Sequence, residues 1–314
     1  MKASIAVVGA GLVGAGWAIV FARAGFPTRI YDADPGIRSK ILASIRTNLE
    51  DLESFDLIES AGTVAELLTV HDTIESAVDG VSYVQESVFE TIPVKSEITA
   101  ALDTSCAPDV VIGSSSSGIP ASAFTGALPG RNRCLIAHPV NPPYLVPLVE
   151  LVPAPWTDSS AMDAAFQLMT EVGQSPIRIT REVDGFVLNR LQGALLNEAW
   201  ALFEEGYASA EDIDKTVSEG LGLRWSFMGP FQTIDLNAPG GVADYAARLS
   251  PLYHTVAQSR AEPKPWSDKL VHDVEAERRI HLSLEELASR REWRDRRLMA
   301  LVAHKRKAAK KLGD

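Results

Sequence analysis

Six residues, Gly9-Ala10-Gly11-Leu12-Val13-Gly14, constrain the fold of this chain more than any others. They follow the unbroken apolar run Ser4-Ile5-Ala6-Val7-Val8, which reads as a buried strand, and lead into a helical pattern from Ala15 to Ala22 that stops at Gly25. In a G-x-G-x-x-G loop the first glycine makes the tight turn and the second lets backbone approach a pyrophosphate. The third lets helix pack on strand. The helix start then offers amide donors and a favourable dipole to the phosphates. Thr28-Arg29-Ile30-Tyr31 forms the next strand, and Asp32 ends it 23 residues after Gly9, where a carboxylate accepts from ribose hydroxyls. Ala33 and Asp34 follow instead of an arginine, which favours NAD over NADP. Gly9, Gly11, Leu12, Val13, Gly14 and Asp32 are therefore the expected dinucleotide-binding residues.

Strand and helix patterns go on alternating to about residue 182, after which the pattern is helical only. The expected architecture is α/β: a Rossmann-type doubly wound sheet over 1–182, then an all-α domain over 183–314. Residues 37–58 and 64–68 carry apolar residues at helical spacing and read as a helical hairpin. Ser82–Glu86, Asp109–Gly113 and Pro176–Ile179 read as strands, and Asp184 as the cap of a long helix holding Phe186 to Trp200. Ser209 with Asp212 resembles a capping box before a helix that stops at Gly220, and residues 223–230 read as a loop. Helices are expected near 241–258, 266–280 and 283–311.

The stretch Cys134 to Val152 carries the chemistry. Prolines at 139, 142, 143 and 147 forbid a helix between two apolar, β-branched ends, so His138 belongs at a strand end and Glu150 in the strand that follows. A histidine held by a carboxylate is a poised general base, and the same pair also describes a satisfied core histidine beside a strand glutamate. Serines 114–117 follow a strand, where they either bond a substrate or cap the helix at Pro120. Ile119-Pro120 stands where a P-loop needs Lys and Ser/Thr, and no nucleophile elbow is present, which excludes both of those chemistries. Asn189 either points at a ligand or satisfies a loop, and Arg224 either clamps a carboxylate or stacks on Trp225.

Net charge is −11, which argues against nucleic acid or an anionic membrane as partner. Ten basic residues against two acids between 290 and 311 leave −19 for the remainder, and residues 50–79 hold no Lys or Arg at all. The basic end reads either as a handle for an acidic partner or as a solvated helix. Cys106 and Cys134 are too few for a disulfide framework and lack metal-ligand spacing. A core strand beginning at residue 4 leaves no room for a signal peptide, and with only these two cysteines a cytoplasmic protein without a metal is expected.

These motifs together resemble the 3-hydroxyacyl-CoA dehydrogenase superfamily over the whole chain, and more closely its lambda-crystallin and L-gulonate 3-dehydrogenase branch. The resemblance rests on the glycine loop with Asp32, the serine loop, and His138-Pro139-Val140-Asn141-Pro142-Pro143 with Leu148-Val149-Glu150. Gly185-Phe186-Val187-Leu188-Asn189-Arg190 and Arg291-Glu292-Trp293-Arg294-Asp295 complete it. It implies four catalytic residues, His138, Glu150, Ser117 and Asn189, with Glu90 and Lys95 near the nicotinamide half of NAD. Ser116, Asn141 and Arg224 become candidate substrate contacts. It also implies NAD-dependent oxidation of the 3-hydroxyl of a small hydroxy acid by a homodimer. Pro139-Val140 replaces the aromatic pair of thioester enzymes, which with the acidic 50–79 segment favours a free acid such as L-gulonate. L-Carnitine, a 3-hydroxyacyl-CoA such as 3-hydroxybutyryl-CoA, and a crystallin-like NADH-binding role without turnover are the competing expectations.

Overall fold

A computed structural model describes residues 2–260, 262 and 265–313. Its chain divides into two compact units, Met1–Arg190 with Trp293–Asp314, and Leu191–Glu292.

The first unit begins with β1 (Ile5–Val8), α1 (Leu12–Arg23), β2 (Thr28–Tyr31), α2 (Pro35–Ser54), α3 (Ala61–Ala65), β3 (Leu68–Val70) and α4 (Ile74–Val78). It continues through β4 (Tyr83–Glu86), α5 (Ile92–Ser105), β5 (Val111–Ser114), α6 (Ser122–Thr125), β6 (Cys134–Pro139), β7 (Leu148–Pro153), α7 (Ser159–Glu171) and β8 (Ser175–Arg178). One eight-stranded sheet results, ordered β3-β2-β1-β4-β5-β6-β7-β8. Its first six strands are parallel in the doubly wound order, and the order reverses beside β1, where such folds bind ligands. β7 then runs antiparallel to β6, and β8 runs parallel to β7.

Alternation along β1 sorts the core into two layers. Ile5 and Val7 join Trp17 and Phe21 of α1 and Ile45, Leu49 and Leu52 of α2, whereas Ala6 and Val8 join Val78, Val84 and Leu102 on the other face. A third cluster gathers Phe124, Ile136, Val152 and Phe186. The expected helical hairpin forms only in part: α2 is its long arm, but the second arm is the single short helix α3, ending at Ala65, and Leu68-Thr69-Val70 is the edge strand of the sheet. Leu68 is buried there by pairing with β2, a long-range gain that helical spacing does not reveal.

The remaining helices are α8 (Leu188–Glu204), α9 (Ala210–Lys215), α10 (Gly222–Trp225), α11 (Pro230–Leu236), α12 (Gly241–Gln258), α13 (Asp268–His281) and α14 (Leu287–Leu312). Ser209 caps α9 by accepting the Asp212 N–H, as its spacing indicates. Helical backbone continues past Gly220 through a π segment into α10, so Leu223-Arg224-Trp225 is helix where a loop was expected. Within the second unit Arg260 pairs with Glu198 and Glu205, and Trp200 stacks on Trp266.

α14 departs from the expected partition. Residues 293–314 group with the sheet instead of with the helical domain. Met299 is buried in the same cluster as α1 and α2, Arg296 pairs with Asp51 at 3.5 Å, and Arg306 donates to Leu57 O at 3.0 Å. The basic end of the chain thus lies on part of its acidic segment. No helix among the described residues is long and apolar enough to cross a membrane.

Candidate active site

The glycine loop has the shape its sequence requires. Gly9 adopts φ 94°, and a Cβ there would meet Ser87 O at 2.5 Å; one on Gly14 would lie 1.8 Å from Gly9 O. Both contacts are backbone, so neither position admits a side chain. At Gly11 a Cβ would meet nothing within 4 Å, which leaves room for a pyrophosphate to approach the backbone. Leu12 and Val13 open α1, with Leu12 exposed beside that space. Asp32 accepts from Ala10 N at 2.7 Å through Oδ2 and from Asp34 N at 2.9 Å through Oδ1, which fixes its carboxylate against the loop. These residues fit a dinucleotide. One arginine does reach this corner: Arg38 of α2 donates to Asp32 O at 2.6 Å and pairs with Asp72.

Antiparallel pairing of β6 and β7 sets His138 directly opposite Glu150, so both side chains project from the same face. His138 Nδ1 lies 2.7 Å from Glu150 Oε2. The other carboxylate oxygen accepts the N–H groups of Val187 and Leu188, each at 2.9 Å, at the start of α8. Glu150 is fully buried, which raises its pKa, yet the His138 contact and the two amides outweigh burial and hold it below the usual carboxylate range. An ionised carboxylate only accepts, so Nδ1 carries the hydrogen, and in the neutral ring Nε2 keeps its lone pair. His138 is buried at 6 % exposure and tilts against Phe186 with ring centres 5.7 Å apart.

Asp184 does not cap the long helix. Gly185 at φ 75° and Phe186 at φ 50° turn the chain through left-handed backbone, and α8 starts at Leu188 under Glu150. The cap comes from 37 residues away. Asn189, in the first turn, donates through Nδ2 to Ser117 O at 2.7 Å and so joins helix to serine loop.

Glu90 organises that loop. Its carboxylate accepts from Ser117 N at 2.6 Å, Gly118 N at 2.7 Å, Ser116 Oγ at 3.0 Å and Ser117 Oγ. Burial pushes it up, but these donors, Ser117 Oγ foremost, hold it below its ordinary value. Ser116 is buried, and its hydroxyl is spent inside the loop on Glu90, on Ile119 O at 2.8 Å and on Ile119 N at 3.1 Å. Ser117 is the more accessible of the two. Lys95 differs from expectation: at 1 % exposure its ammonium is 3.0 Å from each oxygen of the buried Glu86 and 3.3 Å from Ser114 Oγ. It supports the loop from beneath, since Glu86 also accepts Ser114 Oγ at the loop's start, as well as Val88 N at 2.7 Å. Glu86 and Phe186 are the residues that sequence reading missed; an acid ending an apolar strand nine residues before a lysine was the available signal for the first. Asn141 is exposed in the turn between β6 and β7, and Arg224 is exposed on α10 of the second unit. The structure thus brings His138, Glu150, Asn189 and Ser117 together through bonded neighbours within the first unit.

Comparison with known proteins gives the family. The family profile described as "3-hydroxyacyl-CoA dehydrogenase, NAD binding domain" matches residues 4–183, and that described as "3-hydroxyacyl-CoA dehydrogenase, C-terminal domain" matches 185–281. Lambda-crystallin of Oryctolagus cuniculus is 41 % identical over 308 residues, covering 96 % of each chain. L-Carnitine dehydrogenase of Streptomyces coelicolor is 37 % identical over 271 residues, covering 86 % of this chain and 84 % of that one. Among solved structures, an NAD+-dependent dismutase, 5-formyl-3-hydroxy-2-methylpyridine 4-carboxylic acid 5-dehydrogenase, superposes with a TM-score of 0.80 at 24 % identity, covering 98 % of each chain, and shares the fold. With both profiles matched in order and an NAD-binding loop of the required geometry, the chain belongs to the 3-hydroxyacyl-CoA dehydrogenase family.

Proposed function

We propose that the protein oxidises the 3-hydroxyl of a small free hydroxy acid, L-gulonate to 3-dehydro-L-gulonate, with NAD. The observation that carries the chemistry is the Glu150–His138 contact, which leaves Nε2 as the free base. His138 takes the proton from the substrate hydroxyl, and Glu150 holds the ring in that tautomer and stabilises the imidazolium. Ser117 and the uncommitted donor and acceptor of Asn189 orient the hydroxyl and the developing carbonyl. When bound, NAD supplies the hydride acceptor, cradled by Gly9, Gly11, Leu12, Val13 and Gly14 with Asp32 on its ribose and Glu90 near its nicotinamide half.

Pro139-Val140 and the 41 % identity to lambda-crystallin support a free acid as substrate. The acidic 50–79 segment supports it less than its charge implies, because Asp51 pairs with Arg296, Glu50 with Arg46 and Asp72 with Arg38. L-Carnitine is the second reading, favoured by the 37 % identical dehydrogenase and by Arg224-Trp225 on α10 as a carboxylate clamp beside an aromatic face. NADH production is to be measured on L-gulonate, L-carnitine, 3-hydroxybutyrate and 3-hydroxybutyryl-CoA, with NADP as control. A free acid with NAD is expected to give the highest kcat/KM, and a large preference for the thioester would overturn the reading.

A homodimer is part of the proposal. α8 and α12 are amphipathic yet contain no buried residue, and Leu191, Leu196, Leu252, Tyr253 and Val256 stand between 38 % and 62 % exposed. Apolar surface on this scale calls for a partner. Sedimentation equilibrium is expected to give twice the 33.9 kDa chain mass, and a monomer at micromolar concentration would refute it. Two free, buried cysteines accord with a cytoplasmic location.

A further inference from the structure

A cavity of about 540 Å³ lies among the end of α1, the connection from α2 to α3, the end of α7 and α14, and it shares no lining residue with the His138 site. Arg23 and Arg306 form its cationic wall, and Leu57, Val64 and Leu67 supply an apolar one. Neither arginine makes an ion pair among the described residues. Arg23 donates through Nη1 to Tyr144 O at 2.6 Å, and Arg306 through Nη1 to Leu57 O at 3.0 Å. Most of each five-donor fork meets no acceptor among the described residues.

Burial, and then the neighbouring Arg306, push the Arg23 guanidinium down to about 10. Two cations thus share one wall, Arg23 half-buried and Arg306 exposed, and neither has a counter-charge in an ion pair among the described residues. The carboxylates at the cavity do not supply it. Glu171 is engaged by Lys2 at 2.7 Å, and Glu59 is exposed and paired with neither arginine. The volume falls within the range of small-molecule sites, about 300–1,000 Å³.

We propose that this cavity binds an organic anion, a carboxylate or phosphate carrying a short apolar chain, with Arg23 and Arg306 holding the anionic head and Leu57, Val64 and Leu67 covering the chain. Guanidinium forks match both head groups bidentately. Because Arg306 belongs to α14, an occupied cavity also ties that helix to α1 and α3, so ligand binding raises thermal stability by mass action.

The test uses the full-length protein saturated with NADH, so that the dinucleotide site is filled. Thermal unfolding is followed against octyl phosphate, octanoate, inorganic phosphate and octanol. A saturable rise in Tm with octyl phosphate or octanoate is expected, and the stronger of the two identifies the head group. Arg306→Gln, which removes the outer cation, and Thr63→Trp, which fills the cavity from an exposed position, should each weaken that response about tenfold or more while leaving turnover unchanged. No response to either amphipathic anion, equal responses in wild type and both variants, or inorganic phosphate or octanol matching the better ligand would each overturn the proposal.

Discussion

Replacing His138 with Gln is expected to lower turnover by about 10²–10⁴-fold while leaving NADH affinity unchanged. Glutamine can still donate to Glu150, so the buried carboxylate keeps a partner and the strand pair is undisturbed. What is lost is the lone pair that Nε2 presents once Nδ1 is committed. The dinucleotide loop joins β1 to α1 beside Asp32 at the end of β2, and it exchanges no hydrogen bond with His138 among the described residues. Steady-state kcat with a saturating hydroxy acid, alongside a fluorescence titration with NADH, separates the two effects. Unchanged turnover would remove His138 from the mechanism; loss of NADH binding would mean that the substitution damages the fold.

The glycine loop and the His–Glu pair were legible because each is local. A strand, a turn with fixed φ and a helix start lie within about twenty residues, and two strands joined by a short proline-rich connection become neighbours almost by necessity. What stayed hidden depends on partners far along the chain. Leu68-Thr69-Val70 becomes a strand only because β2 offers an unpaired edge. Glu150 is half catalytic partner and half helix cap, and the second role needs Gly185 and Phe186 to be left-handed, which the Asp184 cap signal masks. Lys95 looks like a surface-facing ligand group until Glu86 is seen beneath it. The charge asymmetry of the chain gave two answers, a handle or a solvated helix. The fold agrees with the second, since the basic side chains of α14 are exposed, and adds that Arg296 and Arg306 reach the segment around Asp51 and Leu57, 245 and 249 residues away.

Glu150→Gln is expected to be nearly as damaging to turnover as loss of the histidine, for a different reason. The amides of Val187 and Leu188 require an acceptor, so the glutamine oxygen turns toward them and its NH2 faces His138. The imidazole then has to accept at Nδ1 and carry its hydrogen on Nε2, the wrong tautomer for a base, which in a comparable acid–histidine arrangement costs about 10⁴-fold in kcat. Glu150→Ala leaves two amide donors and the histidine unanswered in a buried site, and destabilisation of about 3–5 kcal/mol is expected from chemical denaturation. Wild-type protein should share a milder form of this defect in acid. The folded-state pKa of Glu150 is depressed below its unfolded value near 4.3, so its contribution is whole above that pH and is lost as pH falls through the folded value. Stability of Glu150→Gln should accordingly change less between pH 6 and pH 3 than that of the wild type. Parallel pH dependences in the two proteins would show that the Glu150 charge does not hold α8 to the sheet.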